Sequence, residues 1–178
     1  MVELKTDRLE VRNFTPEDWR GLQKIIIDRE ASEYAVYDYQ LPTSEAGVME
    51  IAADFSGGDS FLAVWEPSIS SLIGYIALNR LSEKEFDMGY CLKTEYQGRG
   101  YATEACTAVI NYAFNSLGAE KLTSGTANAN QPSCRLLGRL GFKKTEEGIA
   151  SFRKTPEGTP IEFVGSAFVL KKADWLRH

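Results

Sequence analysis

The stretch from Glu85 to Gly118 confines this chain to few folds. In Glu85-Phe86-Asp87-Met88-Gly89-Tyr90-Cys91-Leu92, apolar side chains fall on every second residue (Phe86, Met88, Tyr90, Leu92), the period of a β-strand. From Ala102 the apolar residues recur instead at Ala105, Cys106, Val109, Ile110, Ala113, Phe114 and Leu117, the period of a helix with one buried face. Thr103, Glu104, Thr107, Asn111 and Asn115 take the polar face, and Gly118 stands where a helix end commonly takes a left-handed residue. Between strand and helix lies Gln97-Gly98-Arg99-Gly100-Tyr101-Ala102, a glycine-spaced loop opening onto the helix N-terminus. Backbone N–H groups and the positive end of the helix dipole converge at such a junction, which suits a phosphate-bearing ligand. The unit predicts an α/β fold.

Spacing separates the kinds of phosphate loop. A Walker loop requires Lys and then Ser or Thr after its last glycine, and Tyr101-Ala102 does not comply. A dinucleotide loop requires Gly-x-Gly-x-x-Gly, and Thr103 stands at the third position. What remains is Gln-x-x-Gly-x-Ala, for which a plain glycine turn is an equal reading on spacing alone. Further along, Lys121-Leu122-Thr123-Ser124-Gly125-Thr126 reads as a strand, followed by Asn128-Ala129-Asn130-Gln131-Pro132-Ser133 and a helix ending at Leu140-Gly141-Phe142. Taken together, the loop, Asn130-x-x-Ser133-x-x-Leu136-Leu137-Gly138-Arg139-Leu140-Gly141-Phe142, the opening Thr6-Asp7-Arg8-Leu9-Glu10-Val11-Arg12 and Asp87-Met88-Gly89-Tyr90 resemble the GCN5-related N-acetyltransferases (GNAT). The resemblance is greatest to the ribosomal-protein alanine acetyltransferase branch, of the RimJ/RimL type, and it covers nearly the whole chain.

Length and content agree with one domain over residues 1–178, since a chain of 178 residues buries one full core and rarely two. A first strand is predicted from Leu4 to Phe14, then a helix from Pro16 with Thr15 as its cap and Glu17 and Asp18 in its first turn. A second helix near Ser44 to Phe55 precedes a meander of strands near Ser60 to Glu66, Leu72 to Arg80 and Glu85 to Lys93. Glu66 to Ser71 reads as a hairpin turn. The last strands, near Phe142 to Lys154 and Ile161 to Lys171, flank the turn-forming Thr155-Pro156-Glu157-Gly158-Thr159-Pro160. No apolar run is long enough to span a membrane and no leader pattern opens the chain, so a cytoplasmic protein is expected. Three cysteines, Cys91, Cys106 and Cys134, share no metal-ligand spacing and predict no disulfide. The single histidine is the terminal His178, which excludes a histidine triad and a histidine metal site. A net charge of −5 argues against a nucleic-acid surface and fits a cationic amine weakly.

The resemblance implies a mixed, mostly antiparallel sheet of about six to seven strands, flanked by about four helices and splayed at the cofactor site. It implies acetyl-CoA as acyl donor and an amine acceptor, either a protein N-terminus or a small molecule such as a polyamine, antibiotic or amino acid. By the same resemblance, backbone at Leu92, Lys93 and Thr94 holds the pantetheine arm. The loop Gln97, Gly98, Arg99, Gly100, Tyr101, Ala102 and Thr103 holds the pyrophosphate, with Arg99 equally readable as a solvated loop arginine. Asn130 bridges the arm or satisfies a turn; Ser133 protonates the leaving thiolate or caps a helix. Where many family members carry a tyrosine acid, this chain has Leu137. Asp87 stands where the branch often has Glu before Gly-Tyr and is the candidate base, with Glu85 and Glu83 nearby, and each is equally readable as a surface carboxylate. Tyr34, Tyr37 and Tyr39, with the loop around Phe152 to Pro160, line an acceptor pocket or anchor a loop. A homodimer follows from the habit of the family, since no interface pattern stands out. The uncertain base and Leu137 leave open a second class, a non-catalytic acyl-CoA-binding regulatory domain.

Overall fold

Alternating apolar residues build a sheet here because its two faces have different partners. The computed structural model describes residues 1–175, so His178 lies outside the described residues. The strands are β1 (Glu3–Lys5), β2 (Glu10–Asn13), β3 (Phe61–Glu66), β4 (Ser71–Arg80), β5 (Glu85–Leu92), β6 (Lys121–Ala127), β7 (Lys143–Lys154) and β8 (Pro160–Lys171). The helices are α1 (Trp19–Glu30), α2 (Glu45–Ser56), α3 (Tyr101–Asn115), α4 (Gln131–Arg139) and a single turn, α5 (Lys172–Trp175). The strands form one sheet of eight in the order β1-β2-β3-β4-β5-β6-β8-β7. Every neighbouring pair is antiparallel except β5 with β6.

Each face carries its own core. On one face Phe86, Met88 and Leu92 of β5 and Ile73, Ile76 and Leu78 of β4 pack against Ala105, Cys106, Val109, Ile110, Ala113 and Phe114 of α3 and Leu136 and Leu137 of α4. The helical period read between Ala102 and Leu117 is therefore the packing face of α3. On the other face Leu22, Ile25 and Ile26 of α1 and Val48 and Ala52 of α2 close over Ala63, Leu72 and Tyr75, with Cys91 beside them. Burying each such aliphatic side chain contributes about 1.5–3 kcal/mol, so both faces are needed to hold the sheet.

Two expectations are corrected, the extent of the first strand and the counts of strands and helices. The predicted first strand from Leu4 to Phe14 is two strands, because the chain reverses at Thr6 to Leu9. There Leu9 N–H donates to Thr6 Oγ1 (2.9 Å) and Thr6 N–H to the Leu9 carbonyl (2.9 Å). Among the described residues, that reversal raises the sheet to eight strands and α5 raises the helices to five. The first helix begins as a 3-10 turn over Pro16–Asp18 before α1 proper, with Asp18 accepting from Thr15 N–H (2.8 Å) and from Arg12 (2.8 and 2.9 Å). The Glu66 to Ser71 link is the expected hairpin turn between β3 and β4, built as a 3-10 turn closed by Ser70 in the left-handed region, φ 48°.

Candidate active site

Parallel pairing between β5 and β6 lasts three residues. Glu85 faces Lys121, Phe86 faces Leu122, Asp87 faces Thr123, and beyond that the strands part. β6 continues to Ala127 paired with β8, and β5 continues to Leu92 paired with β4. A gap therefore opens through the sheet between Met88–Leu92 and Ser124–Ala127. Lys93 N–H donates to the Ile73 carbonyl in β4 (3.0 Å). Since backbone groups alternate between the two edges of a strand, the Leu92 amide points the other way, toward the gap. Of the three residues expected to hold an extended arm, Leu92 alone has its amide on that side. Lys93 is turned into the sheet, and Thr94 donates both its N–H (2.8 Å) and its hydroxyl (3.0 Å) to Asp28 of α1.

The glycine loop lies at the end of the gap. Gly98 (φ 71°) and Gly100 (φ 82°) are both left-handed, a conformation that costs other residues about 1–2 kcal/mol, and this is why the loop is glycine-spaced. Space beside Gly98 is open to 4 Å, whereas a Cβ on Gly100 would come within 3.3 Å of the Arg8 guanidinium. The first bond of the α3 ladder runs from Glu104 N–H to the Gly100 carbonyl (3.0 Å), so the N–H groups of Tyr101, Ala102 and Thr103 precede the ladder at the positive end of the helix. The Gln97 side-chain amide donates to the Leu92 carbonyl (2.9 Å), on the strand edge that faces the gap, and ties the loop back to the strand.

A brace from the first hairpin holds that loop in place, and the sequence reading missed it. Arg8 donates to the Arg99 carbonyl (3.0 Å) and to Glu104 (2.7 Å), and its guanidinium lies 4.2 Å from the centre of the Tyr101 ring. Glu104 also accepts from Thr6 Oγ1 (2.6 Å) and from Arg8 N–H (2.9 Å). Partial burial pushes the Glu104 carboxyl up, but the bonds from Thr6 and Arg8 outweigh it and hold it below the usual carboxylate range. Arg99 is exposed, and its carbonyl, not its charge, has the defined partner.

The two walls of the gap carry the polar groups. Asp87 sits at the fork, on the last parallel pair, and accepts from Thr123 Oγ1 (2.8 Å). Glu85 lies farther from the opening in an ion pair with Lys121 (2.7 Å). Tyr90 projects from the opposite face of β5, toward α4, and its hydroxyl stands 2.7 Å from Ser133 Oγ and 3.3 Å from the Ser133 carbonyl. The cap of α4 is Asn130, whose Oδ1 accepts from Ser133 N–H (3.2 Å), so the Ser133 hydroxyl is free of capping. Leu137 is fully buried in the core and brings no polar group to the gap. Asn128 anchors β6 to the last hairpin through Ser166 and Glu147.

Above the α1 face of the gap, the segment between α1 and α2 meets the β7–β8 hairpin. Tyr37 packs edge-on against Phe163 (5.1 Å between ring centres), Tyr39 against Phe152 (4.6 Å), and Tyr34 lies 6.5 Å from Tyr37. Arg153, with 14 % of its side chain exposed, pairs with Glu30 through two bonds (2.8 and 3.0 Å) and donates to the Asp38 carbonyl (2.7 Å). Arg29 adds Asp38 (2.6 Å) and the Tyr39 carbonyl (3.0 Å). The three tyrosines thus anchor a loop, and the same loop borders the opening. No regular spacing in the sequence foretells these ion pairs, since Glu30 and Arg153 stand 123 residues apart.

A family model described as an acetyltransferase (GNAT) domain matches residues 8–143. This chain belongs to the GNAT N-acetyltransferases. It is 27% identical over 172 residues to an uncharacterized N-acetyltransferase, YoaA, of Bacillus subtilis, covering 89% of this chain and 92% of the relative. It is 29% identical over 122 residues to the [ribosomal protein uS5]-alanine N-acetyltransferase of Escherichia coli, covering 67% and 61% respectively. The crystal structure of a GNAT-family acetyltransferase from Bacillus anthracis superposes with a TM-score of 0.81 at 19% identity, covering 97% of this chain and 99% of that one. Of the two classes left open by the sequence, the enzyme is the one family membership supports. The residues suit the family's acyl donor. An extended arm fits between parted strands with the Leu92 amide on its side, and a diphosphate fits the left-handed glycines at the start of α3. Among the described residues, no helix is long and apolar enough to cross a membrane.

Proposed function

We propose that this enzyme acetylates the amino terminus of a protein, using acetyl-CoA. When bound, acetyl-CoA supplies an acetyl group already activated as a thioester. The chain's own residues then have four tasks. Gly98, Gly100, Tyr101, Ala102 and Thr103 present backbone N–H groups to the pyrophosphate, and the Leu92 amide fixes the arm along the β5 edge. Asp87, at the fork on the α1 side, takes the proton from the acceptor ammonium, directly or through one water. Ser133, on the α4 side, donates a hydrogen bond from its hydroxyl to the departing sulfur. Glu85 is the poorer candidate because it lies farther from the opening and is held in an ion pair with Lys121.

The observation that carries this reading is the gap itself, opening between Asp87 and Ser133 on its two sides and ending at the glycine loop. A protein terminus as acceptor is supported by the similarity to the uS5-alanine enzyme, whose name gives an alanine of ribosomal protein uS5, a residue with no amine of its own beyond the backbone. The Arg153-clamped loop with Tyr34, Tyr37 and Tyr39 borders the acceptor side and favours a second reading, a small amine. Thiol release from acetyl-CoA, measured against peptides beginning with Ala, Ser or Met and against polyamines, aminoglycosides and free amino acids, separates the two. Release dependent on an Ala-peptide supports the first reading. Release with the small amines alone overturns it.

A further inference from the structure

The gap between β5 and β6 is crossed by a side-chain hydrogen bond that the roles above leave unused, between Tyr90 Oη and Ser133 Oγ (2.7 Å). We propose that Tyr90 is a positioning residue, whose phenol donates to Ser133 Oγ and so leaves the serine's own hydrogen to point at the sulfur of the acyl donor. The inference rests on the reading of Ser133 given above and goes beyond it by naming what orients that hydroxyl.

A serine hydroxyl has one hydrogen and two acceptor sites and rotates to suit its surroundings. In the first turn of a helix it ordinarily turns back onto nearby backbone. Here Asn130 has taken over the capping, and Tyr90 reaches in from the strand across the gap. A phenol has a single hydrogen. Given chiefly to Oγ, the nearer acceptor at 2.7 Å, with the Ser133 carbonyl at 3.3 Å as a second and longer acceptor, it fills one lone pair of the serine and directs the serine's hydrogen away from Tyr90. Burial of Tyr90 pushes its titration up, against the opposing effect of the Ser133 bond, so the phenol keeps its hydrogen through the working pH range. The ring packs against the α3/α4 core, where a phenylalanine would serve as well and spare the desolvation of a hydroxyl, about 1–3 kcal/mol where no partner is found. The hydroxyl is thus not explained by packing. Its location adds to the argument: Tyr90 lies three residues beyond the last parallel pair, on the stretch of β5 that borders the gap.

The test needs no acceptor. Thiolate absorbance of coenzyme A bound to the wild type, Tyr90→Phe, Ser133→Ala and the double variant is titrated with pH. Each is referenced to the same protein carrying desulfo-coenzyme A, which cancels the protein's own three cysteines. In the wild type the bound thiol is expected to be more acidic than free coenzyme A. Tyr90→Phe and Ser133→Ala should each remove roughly tenfold of that acidity, and the double variant should lose no more than Ser133→Ala alone. An unchanged titration in Tyr90→Phe, or losses that add in the double variant, overturns the positioning role. Ser133→Ala leaves the core untouched, so an unchanged titration there also overturns it, even if Tyr90→Phe folds poorly. Calorimetry on the wild type keeps the two readings apart: absence of coenzyme A binding overturns both, whereas binding with a titration indifferent to Tyr90 overturns this one alone.

Discussion

At the scale of single residues, the site depends on conformation as much as on chemistry. Gly100 is the hinge of the loop, left-handed at φ 82° with the Arg8 guanidinium beside it. Gly100→Val is expected to weaken acetyl-CoA binding at least tenfold, because the left-handed conformation costs a branched residue roughly 1–2 kcal/mol and the new side chain meets Arg8. Calorimetric titration checks it, with circular dichroism to show that the fold is kept. Asp87 has a specific partner in Thr123 and a place at the fork, which distinguishes it from the carboxylates around it. Asp87→Asn should lower kcat by about 100-fold with little change in KM for acetyl-CoA, as expected for loss of a general base. Glu85→Gln should remain near the wild type. A loss confined to Glu85→Gln would move the proton acceptor to Glu85.

At the scale of elements, two long-range clamps connect pieces that local sequence leaves independent. One ties the β1–β2 turn to the start of α3 through Thr6, Arg8 and Glu104. Since the Glu104 carboxyl is held below its ordinary value in the folded protein, its bonds stabilise the fold at neutral pH, above the unfolded titration range. That contribution fades as pH falls below about 4.3 and through the lower folded value. Thermal unfolding of wild type and Glu104→Gln is therefore expected to differ in Tm at pH 7, with the difference shrinking toward pH 3. The other clamp joins Glu30 and Arg153, holding the β7–β8 hairpin to the loop between α1 and α2. Arg153→Ala removes a largely buried charge from Glu30 and releases that loop. Steady-state kinetics should show a KM for the acceptor several-fold higher, while the affinity for acetyl-CoA stays within twofold.

At the scale of the whole molecule, one sheet with two differently covered faces holds the gap open. α3 forms the larger cover, and Phe114 is wholly buried in it. Phe114→Ala should reduce stability by about 3–5 kcal/mol in urea unfolding, through the cavity left against β5 and β6. The sequence by itself determined the periodic elements, because a strand's two-residue repeat and a helix's 3.6-residue repeat are written locally: β3 to β6, α2, α3 and the left-handed glycines at 98 and 100 all lie where the pattern put them. Resemblance to the family supplied the polar candidates, and Asp87 and Ser133 do come to the two sides of one gap. What only the tertiary structure decided was everything that depends on residues far apart in the chain. The reversal at Thr6 to Leu9 splits an apolar stretch whose pattern alone reads as one strand. Asn130, not Ser133, proves to be the helix cap, and Thr94 is taken up by Asp28, 66 residues away. Tyr90 shows in the sequence as an apolar position on β5 and as part of a family motif, but periodicity registers only which face a ring occupies and is blind to the hydroxyl it meets across a gap.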